Sequence, residues 1–167
     1  MERRPRITTR EAGETLIEAT LVLLFLFALI FLLLDLSWAV FAKVTLQHAV
    51  RAGVRYAVTS QTSSDGNGNA LGQVDSIKQV VATQSMGFLT SGNVDSMVTV
   101  TFFSVNGGGP TAVSGSGSNA SGNLVVVSVN NYQVSPFGPL LRSTAPVSFS
   151  VSAGDLIEPS PAGTPPL

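Results

Sequence analysis

The sequence predicts an α+β protein: a long N-terminal transmembrane helix continuing as a stem, a second helix and a small antiparallel three-stranded sheet. Three observations carry that prediction. Residues 19–34 are apolar except for Thr20, and the apolar character continues to Ala42 with Asp35 and Ser37 tolerated. No proline occurs between Glu14 and Ser60. Three segments with strand composition follow residue 96.

A bilayer core about 30 Å thick needs roughly 20 apolar helical residues, so the run can span. The competing reading, a buried core helix, needs apolar partners on every side, and the rest of the chain is polar. A secretory signal has an apolar core of about 7–15 residues and a small-residue cleavage site. This run is longer, although Val40-Phe41-Ala42 offers a poor site of that kind. Arg3, Arg4, Arg6 and Arg10 precede the run, whereas Lys43, Arg51 and Arg55 follow it. The balance of basic residues favours a cytoplasmic N-terminus, with the bulk of the chain outside.

A helix from 14 to 60 would be about 70 Å long at 1.5 Å per residue. Leu46, Val50, Gly53 and Ala57 fall on one stripe, and Lys43, Gln47, Arg51 and Arg55 recur every four residues on another. Ala49, Gly53 and Ala57 are small at four-residue spacing, which lets a second helix approach closely. The same stripe equally suits packing on the protein's own outer domain.

After the turn-rich "QTSSDGNGN", residues 71–86 read as an amphipathic helix with Leu71, Val74, Ile77 and Val81 on one face and Gln73, Ser76 and Thr83 opposite. Strands are expected over 97–105, 124–134 and 146–154, where Val147, Phe149 and Val151 alternate with serines. "NGGGPTAVSGSGSNASGN" has neither the following helix nor the Lys-Ser/Thr ending of a phosphate cradle, and reads as a flexible loop. Asn119-Ala120-Ser121 matches a glycosylation acceptor by pattern alone. "SPFGPLL" reads as a stiff turn, and the proline-rich tail from Asp155 as disordered. The expected organisation is therefore a basic leader over 1–13, the membrane and stem helix over 14–60, an outer head over 61–154 and a tail over 155–167.

The chemistry is sparse. There is no cysteine and one histidine, His48, without a second ligand nearby. The acids beyond the stem, Asp65, Asp75, Asp95, Asp155 and Glu158, form no clustered acid/base pair in the sequence. No catalytic residue, metal site or cofactor is expected, and the net charge of −1 gives no sign of nucleic acid. No small-molecule substrate is expected either. Asp35 suits either an inter-subunit partner for a cation such as Lys43 or a marker of the outer interface, with Trp38 in the aromatic belt.

The boundary of the apolar run is the most specific feature. In "G-ETLIE-A", Gly13 is followed by four residues, Glu18 and the run itself, all behind a short arginine-rich leader. This arrangement resembles the signal of type IV prepilins and pseudopilins. The following stretch, "IEATLVLLFLFALIFLLLDLSWAVFAKVTLQHAVRAGVRYAVT", resembles the N-terminal module of TadE-like (TadE/TadG) pseudopilins of tight-adherence, Flp-type pilus systems. Glu18, Asp35, Arg51, Arg55, Tyr56 and Ala57 carry the likeness. Ala19, Leu24 and Asp35 depart from it where an aromatic residue, a proline and a glutamate are common.

The resemblance implies cleavage between Gly13 and Glu14 by a membrane-embedded prepilin peptidase. It makes Glu18 the assembly residue, meeting the N-terminal amine of a neighbouring subunit. The residue type alone leaves a second reading, in which Glu18 snorkels to the headgroups. Asp35, Arg51, Gly53, Arg55 and Tyr56 would make helix-packing or partner contacts. The implied function is that of a non-enzymatic minor pseudopilin, single-pass in a bacterial cytoplasmic (inner) membrane and engaged with other pilins and an assembly platform. An uncleaved, signal-anchored binding or adhesion protein is the alternative. Removal of the leader would leave 5 − 8 = −3 by formal charge count.

Overall fold

The computed structural model describes residues 9–105, 108–135, 146–159, 163 and 167, with side chains in the first helix described from Gly13. Arg3, Arg4 and Arg6, the "SPFGPLL" turn beyond Ser135, and Pro161, Pro165 and Pro166 lie outside the described residues.

The chain is α+β, as expected. Helix α1 runs over Thr9–Val58, α2 over Gln73–Gln84 and the single turn α3 over Val94–Met97. Strands β1 (Val98–Val105), β2 (Pro110–Val113), β3 (Leu124–Val134) and β4 (Val147–Leu156) form one antiparallel sheet in the order β2-β1-β3-β4. The sheet has four strands, not three. The additional strand lies in the glycine-rich segment read as a loop, where Pro110–Val113 pairs with Phe102–Val105. It is a short edge strand opened by proline, and an edge position tolerates the missing N–H.

Expected and observed boundaries also differ elsewhere, and α2 spans Gln73–Gln84 rather than 71–86. Helix α1 begins at Thr9 and passes through Gly13. Strand β4 continues through Asp155 and Leu156, which pair with Val125 and Leu124, so the head does not stop at residue 154. Ile157 is buried and its N–H donates to the Asn123 carbonyl. The run of prolines begins only at Pro159, which is why the backbone can stay paired up to that point.

The core lies between the sheet and the outer half of α1, joined by α2. Leu46, Ala49, Val50, Ala57, Ile77, Val81, Val125, Val127 and Val129 are fully buried. Burying one such valine, leucine or isoleucine side chain contributes about 1.5–3 kcal/mol. Helix α2 runs antiparallel to α1: its start meets Ala57, and its middle meets Gly53. A Cβ on Gly53 would fall 2.5 Å from Val81 Cγ2, so the glycine sets how closely the helices approach. Thus the stem's apolar stripe packs on its own domain, and the small residue at its centre accommodates a helix of the same chain.

The buried face of α2 also differs from the expected one. Gln73 and Ser76 are fully buried. Gln73 Nε2 donates to the Ala57 carbonyl at 3.0 Å, and Asn119 Nδ2 donates to Gln73 Oε1 at 2.6 Å. Ser76 Oγ donates to the Gly72 carbonyl and accepts from the Ser63 N–H. These polar groups tie the end of α1 to the loop before α2 and the loop before β3. The last carbonyls of α1 are consequently satisfied: Arg55 and Tyr56 by the Thr59 hydroxyl, Ala57 by Gln73, and Val58 by the Glu158 N–H. Asn119 is 1 % exposed, which excludes it as a glycosylation acceptor in the folded head.

One bulge shapes the lower end of the sheet. Val129 pairs with Val151, but the next pair is Tyr132 with Phe149, so β3 carries one extra residue. Asn131 takes the left-handed conformation there (φ 51°) and its N–H donates to Ser150 Oγ. The extra residue changes which alternate side chains face inward, from Val125, Val127 and Val129 to Tyr132 and Val134.

Candidate processing and assembly segment

The membrane-length part of α1 is bare. Among the described residues there is one helix long and apolar enough to cross a membrane, and none of its most apolar stretch is covered by the rest of the chain. Leu16, Leu21, Leu24, Phe25 and Leu32 all stand exposed. A soluble core helix would be covered, so that reading fails. A contiguous apolar surface of this length calls for lipid or other helices.

Polar residues within the run differ in what they need. Thr20 Oγ1 donates to the Leu16 carbonyl at 2.7 Å and Ser37 Oγ to the Leu33 carbonyl at 2.8 Å. A hydroxyl can thus be satisfied by the helix that carries it. An ionised carboxylate accepts only, and mid-helix N–H groups are already used, so the α1 backbone does not serve Glu18 as it serves the two hydroxyls. Glu18 is exposed, on the same helix one turn after Glu14.

Gly13 is equally informative. It lies inside α1, exposed, and a Cβ built on it meets nothing within 4 Å. Neither packing nor backbone conformation demands glycine there. In a helix interior glycine costs roughly 1 kcal/mol relative to alanine.

The remaining expected residues separate into three settings. Asp35 is half-buried near the outer end of the run, just before Trp38. Gly53 is buried beneath Val81 and Ile77, and Tyr56 packs against the core. Arg51 and Arg55 are exposed and, with Thr59, Asp155 and Glu158, line an open cleft between the end of α1 and β4. His48 is exposed.

Two features of the head escaped the sequence reading. One is the buried Gln73–Asn119 pair. The other is a row of rings that begins on α1 and enters the head. Trp38 stacks near Phe41 (5.8 Å between ring centres), and both approach Phe88, at 5.6 and 5.9 Å. Phe88 meets Tyr132 edge-on at 6.0 Å, and Tyr132 lies 5.7 Å from Phe149. Burial pushes the Tyr132 hydroxyl pKa upward.

No curated protein and no solved structure matches the chain. The model of one family does: it begins on Gly13, ends on Arg55 and leaves the head outside the match. Residues 13–55 match the TadE-like protein family.

Proposed function

We infer that the chain is a minor pseudopilin of a tight-adherence, Flp-type pilus system with a non-enzymatic role in assembly. A prepilin peptidase would remove residues 1–13, and the head would stand on the extracytoplasmic side of the inner membrane. The observation that carries this reading is the conjunction, inside the family match, of a glycine with no packing role and an exposed glutamate at the start of the bare apolar run.

In this reading, cleavage creates an α-amino group on Glu14. Packed between neighbouring subunits in hydrocarbon, that amine and the Glu18 carboxylate of an adjacent copy neutralise one another, which offsets the cost of seating either charge in lipid. The exposed apolar surface of α1 supplies the remaining contacts between subunits. Arg51 and Arg55 remain exposed for partners; Gly53 is already occupied within the chain.

The test is Glu18→Gln. The variant should insert into the membrane at the wild-type level and lose co-purification with the other pilins and the assembly platform. Wild-type incorporation of Glu18→Gln would refute the pairing. The alternative, an uncleaved anchored binding protein, would use the Arg51–Arg55 cleft and should work without any pilus component.

A further inference from the structure

The head does not sit at the tip of a projecting stem; it lies alongside α1 and reaches down to Trp38. Helix α1 rises about 30 Å from Trp38 to Val58, and β3 and β4 pack against it. At the upper end, Glu158 meets Val58, and Leu124 pairs with Leu156. At the lower end are the last residues of β3, the first of β4 and the chain leaving α2. Phe88 touches Trp38 and Phe41 there, so this end is level with the outer limit of the apolar run.

Two large apolar side chains at this end are uncovered. Met86 is 78 % exposed and Val147 is 54 % exposed. Met86 and Gly87 both adopt left-handed backbone, with φ of 54° and 88°, reversing the chain after α2. Asparagine or glycine occupies such a position at less cost than methionine. Met86 nevertheless stands there with its side chain exposed, two residues from a ring that contacts Trp38. Residues 84–92, 130–135 and 146–153 contain no charged side chain; Asp95 follows on α3, and Asp35 and Lys43 lie on either side of Trp38 in α1.

The geometry points to the lower end of the head being a second membrane contact, in which Met86 and Val147 enter the headgroup–acyl boundary beside Trp38. This rests on the reading that α1 spans the membrane. Lipid is the occupant that the observations favour, because the surface continues directly from the lipid-length face of α1. The contact is apolar in origin, since Asp35 and Lys43, on either side of Trp38, carry opposite charges. Tyr132, with an apolar body and a polar tip, is suited to the same depth. Interfacial apolar contacts reach about 5–10 Å into the headgroup–acyl boundary. The contact would fix the head against the bilayer rather than leave it swinging on α1.

The absence of cysteine permits clean single-site labelling. The full chain carrying Met86→Cys, Val147→Cys, Leu29→Cys or Ser121→Cys is labelled with a polarity-sensitive fluorophore. Each is reconstituted in phosphatidylethanolamine–phosphatidylglycerol vesicles doped with shallow or deep doxyl lipid. The shallow quencher should act on the Met86 and Val147 labels at least roughly twofold more than on Ser121, at the far end of the head. The deep quencher should act on Leu29. Deep quenching at Leu29, with Met86 and Val147 as open to aqueous iodide as Ser121, would overturn the proposal and leave the spanning helix intact. So would shielding of both sites from lipid and iodide alike, which would reveal a protein partner. Escape of Leu29 from the deep quencher would refute the spanning reading and this inference with it.

Discussion

The ring of Phe88, beyond the end of α2, lies 5.6 Å from the indole of Trp38 on α1. That contact joins the head to the membrane-proximal part of the helix. Phe88 also meets Phe41 and Tyr132, so it is the hinge of the row of rings. Phe88→Ala should lower the stability of the head by about 2 kcal/mol, since each aromatic contact is worth about 0.5–1.5 kcal/mol beyond area. Trp38 is the single tryptophan, so its emission reports the loss directly. An unchanged denaturation midpoint and unchanged Trp38 emission would contradict the contact.

Gly53 should resist every replacement. Alanine gains up to about 1 kcal/mol in helix propensity, but its methyl would meet Val81 Cγ2 at 2.5 Å. Overpacking of this kind costs typically about 1–3 kcal/mol. Gly53→Leu is therefore expected to unseat α2, and Gly53→Ala to lower the melting temperature. A melting temperature at or above wild type for Gly53→Ala would show that the helices can part without loss.

Gln73 should matter more than a surface glutamine. Gln73→Leu removes the acceptor of the Asn119 amide and the side-chain donor to the Ala57 carbonyl, in a fully buried setting. Leaving a buried polar group without a partner costs about 1–3 kcal/mol. Denaturant titration should show a loss in that range for Gln73→Leu, and a loss under 0.5 kcal/mol for the neighbouring exposed Asp75→Ala, about the usual limit for a surface change. Equal effects at the two positions would contradict the buried network.

The loop before α2 should loosen only in strong acid. Asp65 accepts from the Asn69 side chain at 2.9 Å and from the backbone N–H groups of Asn69 and Asn67 at 2.8 and 2.9 Å. The Asn69 side chain, first among these donors, holds the carboxyl below its usual 3.8. A depressed carboxyl favours the folded loop above the ordinary value, and that contribution is lost as pH falls through the lower, folded value. The Asn67 and Asn69 amide resonances should titrate with a midpoint below 3.8. A midpoint at or above that value would contradict the hydrogen-bonded turn.

Much of this architecture was legible because it rests on strong periodic signals. The apolar run, the 46–50–53–57 stripe and the alternation at Val147, Phe149 and Val151 each express one dominant physical requirement. The strand Pro110–Val113 was hidden because four residues between glycines show no period. The buried face of α2 was misread because glutamine and serine look like solvent residues. Yet Gln73 stands four residues before Ile77 and eight before Val81, and that spacing was the available signal. The row of rings was not readable, since Trp38, Phe88 and Tyr132 are far apart in sequence and meet through the left-handed turn at Met86 and the bulge at Asn131. Gly13 and Glu18 were legible as a pattern; the structure adds that nothing packs against Gly13 and that Glu18 is exposed.

The central claim is that α1 is an apolar rod trimmed at Gly13 for assembly with like subunits. The intact mass of the protein purified from cells with an active prepilin peptidase tests it most directly. The mass should be that of a chain beginning at Glu14, with the full leader retained in Gly13→Asp. A wild-type chain still carrying residues 1–13 in those cells would contradict it.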